Sequence, residues 1–356
     1  MNCCVDCFSD QGLKNRIEAS SSIIGSCDFC GSVAVIIINC EDLSSSFEQI
    51  FGLYTSHPNA EKSLQDGKPY LLHEHLLKYW SRLFNTDLLN DLTVKQLVNQ
   101  IGRGTSIYST PLFENPVEIE FLLGTATAPA EDLELKWDSF SEEIKTRNRF
   151  FLSEKIDTED LQSIFERLAT IHPKGTEFYR ARISDKKLRL DKLGKPPLHL
   201  TTPGRANPVG IPYLYVSESE ETTLYETRVA LHESLTIGRF VAKETISLVS
   251  LRNIDRLGPI DIIDRGFTLE EFISYRPYLI KLEQELSSPV RKQDVHLDYL
   301  PTQFLCEFIK SLGFDAVEYK SAMNINGYNL AIFNDQKLAC KGAKFVYVKD
   351  IKYSYN

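Results

Sequence analysis

The sequence lacks an apolar run long enough to cross a membrane as a helix, which takes about 18 or more consecutive apolar residues. Its longest candidate, residues 33–40, suits a buried strand. The N-terminal residues, MNCCVDCFSD, also lack the basic and apolar segments of a secretory signal. We therefore expect a cytoplasmic protein that has no membrane partner.

Several common motifs of nucleotide and metal chemistry are also missing. The sequence contains no GxxxxGKS/T phosphate-binding loop, no GxGxxG dinucleotide fingerprint and no HExxH metalloprotease motif. These absences argue against hydride transfer with a cofactor held in a Rossmann fold.

Charge is distributed unevenly along the 356 residues. Residues 1–150 contain 12 Lys and Arg against 21 Asp and Glu, whereas residues 151–356 contain 28 of each. The net charge of −9 therefore arises in the first part, and nucleic acid is not an expected partner. Residues 174–205 carry nine basic side chains and three acidic ones. This local excess would suit an anionic small molecule, or would form a solvated basic face.

The cysteines are concentrated near the N-terminus. Two CxxC pairs separated by 19 residues have the spacing of a four-thiolate zinc site: Cys4, Cys7, Cys27 and Cys30. Gly31 follows the second pair, where the backbone of a zinc knuckle often needs a positive φ. Disulfides are the alternative, but a cytoplasmic chain disfavours them. We expect structural Zn²⁺ to fold residues 1–42, with no open coordination position for catalysis.

Hydrophobic patterning divides the rest of the chain at about residue 170. Residues 43–170 predict a helical domain, in which Asp157 caps one helix. Residues 171–356 predict an α+β domain with helices at about 218–233 and 301–312. Its strand-like runs are residues 177–183, 211–217, 235–242, 246–251, 316–321 and 329–333.

Two arginines occupy one of these predicted strands. In EFYRARI, alternation places Arg180 and Arg182 on one face, and Tyr179 and Ala181 on the other. Adjacent guanidinium groups repel each other unless an anion or a carboxylate lies between them. The strand therefore predicts either an anion site or a structural ion pair with a carboxylate.

The segment TTPGRANPVGIPYLYVS carries more polar groups into the next strand. Arg205 and Asn207 lie in its loop, and Tyr213 and Tyr215 lie near the strand end. The tyrosines would either face a binding site or be core aromatics.

A helix is expected after this strand. Ser217-x-x-Glu220 is a capping-box pattern, so Glu226 should lie on the second or third turn. Its carboxylate would either serve chemistry or form an ion pair with Arg228 or Arg180.

The strings FYRAR, GRANPVGIPYLYVSESEETTLYE, YLPTQFLCEFIK, FDAVEYKS and GYNLAIF together resemble the RES domain family over roughly residues 174–340. The preceding cysteines and helices resemble the N-terminal HEPN/RES region. The resemblance implies a fold similar to ADP-ribosyltransferase toxins and an activity that destroys NAD at the nicotinamide–ribose bond.

The resemblance also implies roles for individual residues. The residues that match the family's functional positions are Arg180, Arg205, Tyr215, Glu226 and Ser321, with Arg182 as an addition. With the neighbouring Asn207 and Tyr213 included, we expect catalytic roles for Glu226, Arg180, Tyr215 and Ser321, and substrate-binding roles for Arg205, Arg182, Asn207 and Tyr213. The arginines would hold the diphosphate, Tyr215 would stack on nicotinamide or ribose, and Glu226 would stabilise positive charge on the ribose carbon. Ser321 would be a positioning hydroxyl.

The expected function is therefore that of an NAD glycohydrolase or phosphorylase, acting as a growth-arresting toxin or phage-defence effector. The expected partners are NAD, phosphate, an antitoxin or regulatory protein, and further copies of the chain. Two alternatives remain: an ADP-ribosyltransferase that modifies a macromolecule, and a non-catalytic interaction module that depends on zinc.

Overall fold

The structure, a computed structural model, describes residues 1–56, 68–119, 129–153, 156–288 and 295–350. The chain forms two compact units. The N-terminal unit comprises Met1–Asp132 and Asp255–Pro277, and the unit that we call the sheet unit comprises Leu133–Ile254 and Tyr278–Asn356.

The N-terminal unit contains a small antiparallel sheet in the order β1–β3–β2, made of β1 (Asn2–Cys4), β2 (Ile24–Gly25) and β3 (Val35–Asn39). Strands β4 (Tyr54–Ser56) and β5 (Val117–Ile119) form a separate antiparallel pair. The helices of this part are α1 (Gln11–Ser20), α2 (Ser44–Phe51), α3 (Leu72–Tyr79), α4 (Asp91–Arg103) and α5 (Thr110–Glu114).

The sheet unit is built on an eight-stranded sheet in the order β13–β9–β7–β8–β12–β11–β10–β6. All neighbouring strands are antiparallel except β10 and β11, which are parallel. The strands are β6 (Ala169–His172), β7 (Glu177–Ile183), β8 (Leu214–Ser217), β9 (Ser234–Ala242), β10 (Ile246–Ser250), β11 (Ala316–Lys320), β12 (Tyr328–Ile332) and β13 (Leu338–Tyr347).

The later helices complete both units. They are α6 (Pro129–Thr146), α7 (Thr158–Arg167), α8 (Glu220–Thr227), α9 (Pro259–Asp264), α10 (Leu269–Ser287), α11 (Val295–Asp298) and α12 (Leu300–Ser311). As the sequence predicts, Asp157 caps α7, where its carboxylate accepts from the N–H groups of Glu159 and Asp160. The boundary between the units falls within α6 and again at Pro277 in α10.

One face of the large sheet carries the main apolar core of the sheet unit. Alternating residues of neighbouring strands supply it, as expected for a sheet with one buried face. Its members include Phe178, Val216, Phe240, Leu248 and Leu330. Arg180 and Arg182 have the same parity on β7 as Phe178, so strand alternation assigns all three to this face.

Asp10 ties the start of the chain to the later segment of the N-terminal unit. Its carboxylate accepts a hydrogen bond from the Leu13 N–H in α1 over 3.0 Å and from the Ile260 N–H in α9 over 2.9 Å. One buried side chain thus caps the first turn of two helices that are about 250 residues apart in sequence.

The two units do not coincide with the predicted division at residues 42 and 170. Strand β6 pairs with β10 in the large sheet, so the sheet unit includes a strand that begins before residue 171 and the helix that precedes it. Residues 255–277 were expected in the α+β domain and instead belong to the N-terminal unit.

The fold class agrees with the prediction in its coarse form. The chain combines helices and sheets, and its C-terminal half is rich in strands. Within the described residues, the structure contains no helix with the length and apolar character needed to cross a membrane.

Candidate functional site

The four cysteines of the two CxxC pairs meet in the N-terminal unit. Their Sγ atoms all lie within 4.8 Å of one another. The Sγ–Sγ distances are 3.7 Å for Cys4–Cys7, and 3.4 Å both for Cys4–Cys30 and for Cys7–Cys27. A tetrahedron of sulfur atoms at about 2.3 Å from Zn²⁺ has similar edges. Gly31 has a φ of 73°, as predicted for the knuckle.

In the sheet unit, Arg180 of β7 has an unsatisfied guanidinium nitrogen. Its Nη1 is buried and has no hydrogen-bond partner in the described part of the chain. Burial and the neighbouring Arg182 lower the pKa of Arg180 to about 10, and Tyr215 opposes this shift. A buried cation without a partner is costly, which favours an anionic ligand at this point. By contrast, Arg182 donates to the Gly194 carbonyl over 2.8 Å.

The GRANP loop is organised by Asn207 and Tyr215. The Tyr215 hydroxyl donates to Asn207 Oδ1 over 2.8 Å and accepts from the Ala206 N–H over 3.0 Å. Asn207 Nδ2 contacts the carbonyls of three loop residues, Thr202, Pro208 and Ile211. The Asn207 side chain, 3% exposed, therefore makes its hydrogen bonds within this segment. The Tyr215 hydroxyl does the same.

Tyr213 is a core aromatic, which was the alternative interpretation of this residue. It is 2% exposed, and its ring centroid lies 4.8 Å from that of Phe333. Burial raises the pKa of Tyr213. The structure thus places the Tyr213 ring in the core.

Helix α8, which carries Glu226, begins differently from the prediction. The capping box at Ser217 and Glu220 was wrong, because Ser217 belongs to β8. Ser219 is the N-cap, and its hydroxyl accepts from the Thr222 N–H over 3.1 Å. Glu226 still lies on the second turn, as predicted.

The Glu226 carboxylate is held through one oxygen. Oε1 accepts from the Ser321 hydroxyl over 2.6 Å and from Asn329 Nδ2 over 2.7 Å. Among the described residues, Oε2 has no hydrogen-bond partner, and neither Arg228 nor Arg180 forms an ion pair with this carboxylate. The free oxygen is thus available to a ligand, while the bound one fixes the orientation of the group.

The Arg205 side chain extends from the GRANP loop to the end of α10. Its Nη1 donates to the carbonyls of Glu285 and Leu286 at the end of α10, the latter over 2.7 Å. Burial raises the pKa of Tyr319, while Arg205 lowers it and Glu226 raises it. Both charged groups therefore lie within electrostatic reach of the Tyr319 phenol.

Strand β7, which carries Arg180, contacts helix α8, which carries Glu226. Strand β7 is paired with β8 only at Tyr179, opposite Ser217. Further along, the Ala181 N–H donates to Thr223 Oγ1 of α8 over 3.1 Å. Arg180 adjoins Ala181, and Glu226 follows Thr223 by one helical turn. The structure thus joins Ser321 to Glu226 by a hydrogen bond and places the strand that carries Arg180 against the helix that carries Glu226.

Comparison with family models identifies this half of the chain. The model described as "RES domain" matches residues 177–356. The chain belongs to the RES domain family. Among solved structures, the chain is similar to one in the M. tuberculosis MbcT–MbcA toxin–antitoxin complex, with 13% sequence identity, a TM-score of 0.31, and coverage of 54% of this chain and 93% of that chain. No curated protein sequence matches.

Two residues of the RES domain at this site were missed by sequence reasoning. Asn329 holds Glu226, and Ser217 in turn donates to Asn329 Oδ1 over 2.7 Å. Tyr319 is the other residue: Arg205 lowers the pKa of its phenol and Glu226 raises it. Strand alternation offered a signal, since Tyr319 and Ser321 share a face of the segment 316–321 and Asn329 is a polar residue within an apolar strand.

Two cavities in the sheet unit lie apart from these residues. One, of about 300 Å³, is lined by α6, α7 and Tyr278, and the other, of about 880 Å³, lies between residues 187–191 and Gly342–Ala343. Neither is lined by a predicted RES site residue.

Proposed function

We propose that this RES domain protein is an enzyme that cleaves the nicotinamide–ribose bond of NAD. The observation that carries the proposal is the Glu226 carboxylate, which is fixed through Oε1 and free at Oε2, close to the strand that carries the unpartnered Arg180. This combination suits a substrate that carries a diphosphate and develops positive charge nearby.

The residues have distinct roles in the proposed reaction. Arg180 and Arg205 bind and orient the diphosphate, and the ring of Tyr215 lies against the nicotinamide or ribose. The bond between ribose C1′ and the nicotinamide nitrogen breaks, and its electron pair neutralises the pyridinium. Glu226 Oε2 stabilises the positive charge that grows on the ribose.

The acceptor completes the reaction at ribose C1′. Attack by water forms a C1′–O bond and releases a proton, giving ADP-ribose. Attack by phosphate gives the corresponding ADP-ribose phosphate. Ser321 and Asn329 act as positioning residues, because they contact Oε1 and leave the other oxygen to the substrate.

The proposal also covers the cellular role of the protein, its catalytic fold and its metal site. We assign the chain the role of a growth-arresting toxin or phage-defence effector that an antitoxin or regulatory protein restrains, and a catalytic fold related to ADP-ribosyltransferases. The four-cysteine cluster would hold structural Zn²⁺ through its thiolates, and a site closed by four protein ligands supplies folding energy but no open position for chemistry.

A product analysis tests the proposed activity. Purified full-length protein is incubated with NAD, with and without phosphate, and the products are identified by mass spectrometry. We expect free nicotinamide together with ADP-ribose or its phosphate, and loss of turnover in Glu226→Gln. Glu221→Gln, an exposed change on the same helix, is the control. Appearance of the ADP-ribose label on protein or nucleic acid would favour a transferase, and absence of any NAD turnover would contradict the proposal.

A further inference from the structure

A cavity of about 300 Å³ lies in the sheet unit between three helices. Helix α6 contributes Leu133, Lys136 and Trp137, and α10 contributes Tyr278. The other lining residues come from the start of α7 and the residue before its cap: Ile156, Asp157, Asp160, Leu161 and Ile164. This volume is at the lower end of the range for ligand pockets, so an occupant would be a small molecule.

The walls of the cavity are aromatic and aliphatic. Trp137 and Tyr278 are 1% and 3% exposed, and their ring centroids lie 6.2 Å apart at an interplanar angle of 67°. Leu161 and Ile164 are also buried. The Trp137 indole N–H is already used, because it donates to Glu285 Oε1 over 2.8 Å. What these rings offer to a ligand is therefore apolar and π surface.

Tyr278 adds one unused polar group. Although the residue is almost fully buried and lines the cavity, its hydroxyl has no hydrogen-bond partner among the residues that the structure describes. A hydroxyl group in the wall of a cavity can donate a hydrogen bond to a ligand or to bound water.

The mouth of the cavity is negatively charged. Asp157 uses Oδ1 to cap α7 and keeps its second oxygen free within the described chain, and Asp160 is exposed beside it. Lys136 also lines the cavity, but it already has an interaction partner in the chain. The groups left to meet a ligand are thus two carboxylates, two aromatic rings and one phenol.

We infer that this cavity, which we call the α6–α7 pocket, binds a small organic amine whose aromatic ring packs on Trp137 and Tyr278 and whose ammonium group meets Asp157 and Asp160. Aromatic surface and carboxylates together favour a cation over a neutral or anionic molecule of the same shape. The pocket shares no lining residue with the proposed NAD site, so the inference does not depend on the proposed activity.

Matched probes test the charge preference. Binding of 2-phenylethylamine to the full-length protein is measured by saturation-transfer NMR and by the shift in melting temperature, and 3-phenylpropionate serves as the anion of similar shape. We expect the amine to bind and to raise the melting temperature, and the carboxylate to do neither. Equal binding of the two probes, or no binding of the amine, would overturn the inference.

Three variants locate the binding. Asp160→Asn should lower the affinity for 2-phenylethylamine about fivefold, as expected for the loss of a partly exposed ion pair. Glu159→Gln is the matched control, because Glu159 is exposed on the same turn and does not line the pocket, and it should leave affinity unchanged. Tyr278→Phe removes only the unpaired hydroxyl and should weaken binding without loss of stability. Equal effects of Asp160→Asn and Glu159→Gln would show general surface attraction and refute the assigned pocket.

Discussion

Asn329 donates through Nδ2 to Oε1 of Glu226 over 2.7 Å. The orientation of this amide is itself fixed, since Ser217 donates to Asn329 Oδ1 over 2.7 Å and Asn329 is 6% exposed. Three residues from β8, β12 and α8 thus form one chain of hydrogen bonds that ends at a carboxylate. This arrangement sets the direction of the free oxygen of Glu226.

Asn329→Ala should lower kcat for NAD by about tenfold, the magnitude expected for one lost hydrogen bond to a charged group. KM should change little, because the substrate does not contact this amide. Steady-state kinetics measures both constants. Asn329→Asp would place a second carboxylate beside Glu226, favour its protonated form, and shift the acidic limb of the kcat–pH profile upward.

Asn326→Ala is the control for this set, because Asn326 is an exposed asparagine close by in sequence. Its kcat should equal that of the unmodified protein. An unchanged kcat in Asn329→Ala, or an equal decrease of kcat in Asn326→Ala, would contradict the proposal that Asn329 positions Glu226.

Arg180→Met should stabilise the free protein while abolishing NAD binding. Burial lowers the pKa of Arg180 to about 10 in the folded chain, so the charged form destabilises the fold at every pH below that value. Methionine removes this cost and keeps much of the volume, so the gain should be about 1–2 kcal/mol. Chemical denaturation and calorimetric titration with NAD measure the two effects.

Arg182→Met provides the matched comparison on the same strand. It loses the hydrogen bond to the Gly194 carbonyl and should not gain stability. If Arg180→Met destabilises the chain as much as Arg182→Met does, the guanidinium of Arg180 does not serve as a binding site for an anionic ligand.

Several strands of the RES domain could be predicted because they alternate or are apolar and are bounded by turn residues. The runs at 177–183, 235–242 and 316–321 correspond to β7, β9 and β11 within a residue or so. Strand β13 was missed, because LACKGAKFVY mixes charges and a glycine at its bulge. Helix α10 was missed as well, although its sequence has no strong breaker before Pro277.

For the candidate site, a sequence pattern can name residues but does not reveal which side chains are in contact. Glu226 and Ser321 could be named from a family pattern, but the pattern does not show that they touch. The hydrogen bonds of Asn207 within its loop and the packing of Tyr213 on Phe333 are tertiary contacts that the sequence does not reveal either. Residues 255–277 belong to the N-terminal unit, and their contacts with it, such as the Ile260 N–H to Asp10, join residues about 250 positions apart and leave no local signal in the sequence.

The four-cysteine cluster should contain one zinc ion per chain. Cys27→Ser should reduce zinc to near zero and lower the melting temperature of the N-terminal unit, because metal binding is coupled to folding there. Metal analysis and thermal melting test both statements. Cys340→Ser, outside the cluster, is the control and should retain the metal. Freshly purified protein without zinc would contradict the assignment.

Asp10→Ala should destabilise the N-terminal unit by about 2–4 kcal/mol, since two helix caps are lost together. Asp10→Asn keeps only one acceptor oxygen and should lose roughly half of that amount. Glu18→Gln, an exposed change on α1, should have no measurable effect. Burial raises the pKa of Asp10, so the folded state holds this proton more tightly than the unfolded state. The stability of the unmodified chain relative to Asp10→Asn should therefore increase as pH falls from neutrality through that raised pKa. Urea denaturation at several pH values measures the difference, and a relative stability that falls over this interval would show that Asp10 is not the buried carboxyl group that joins α1 to α9.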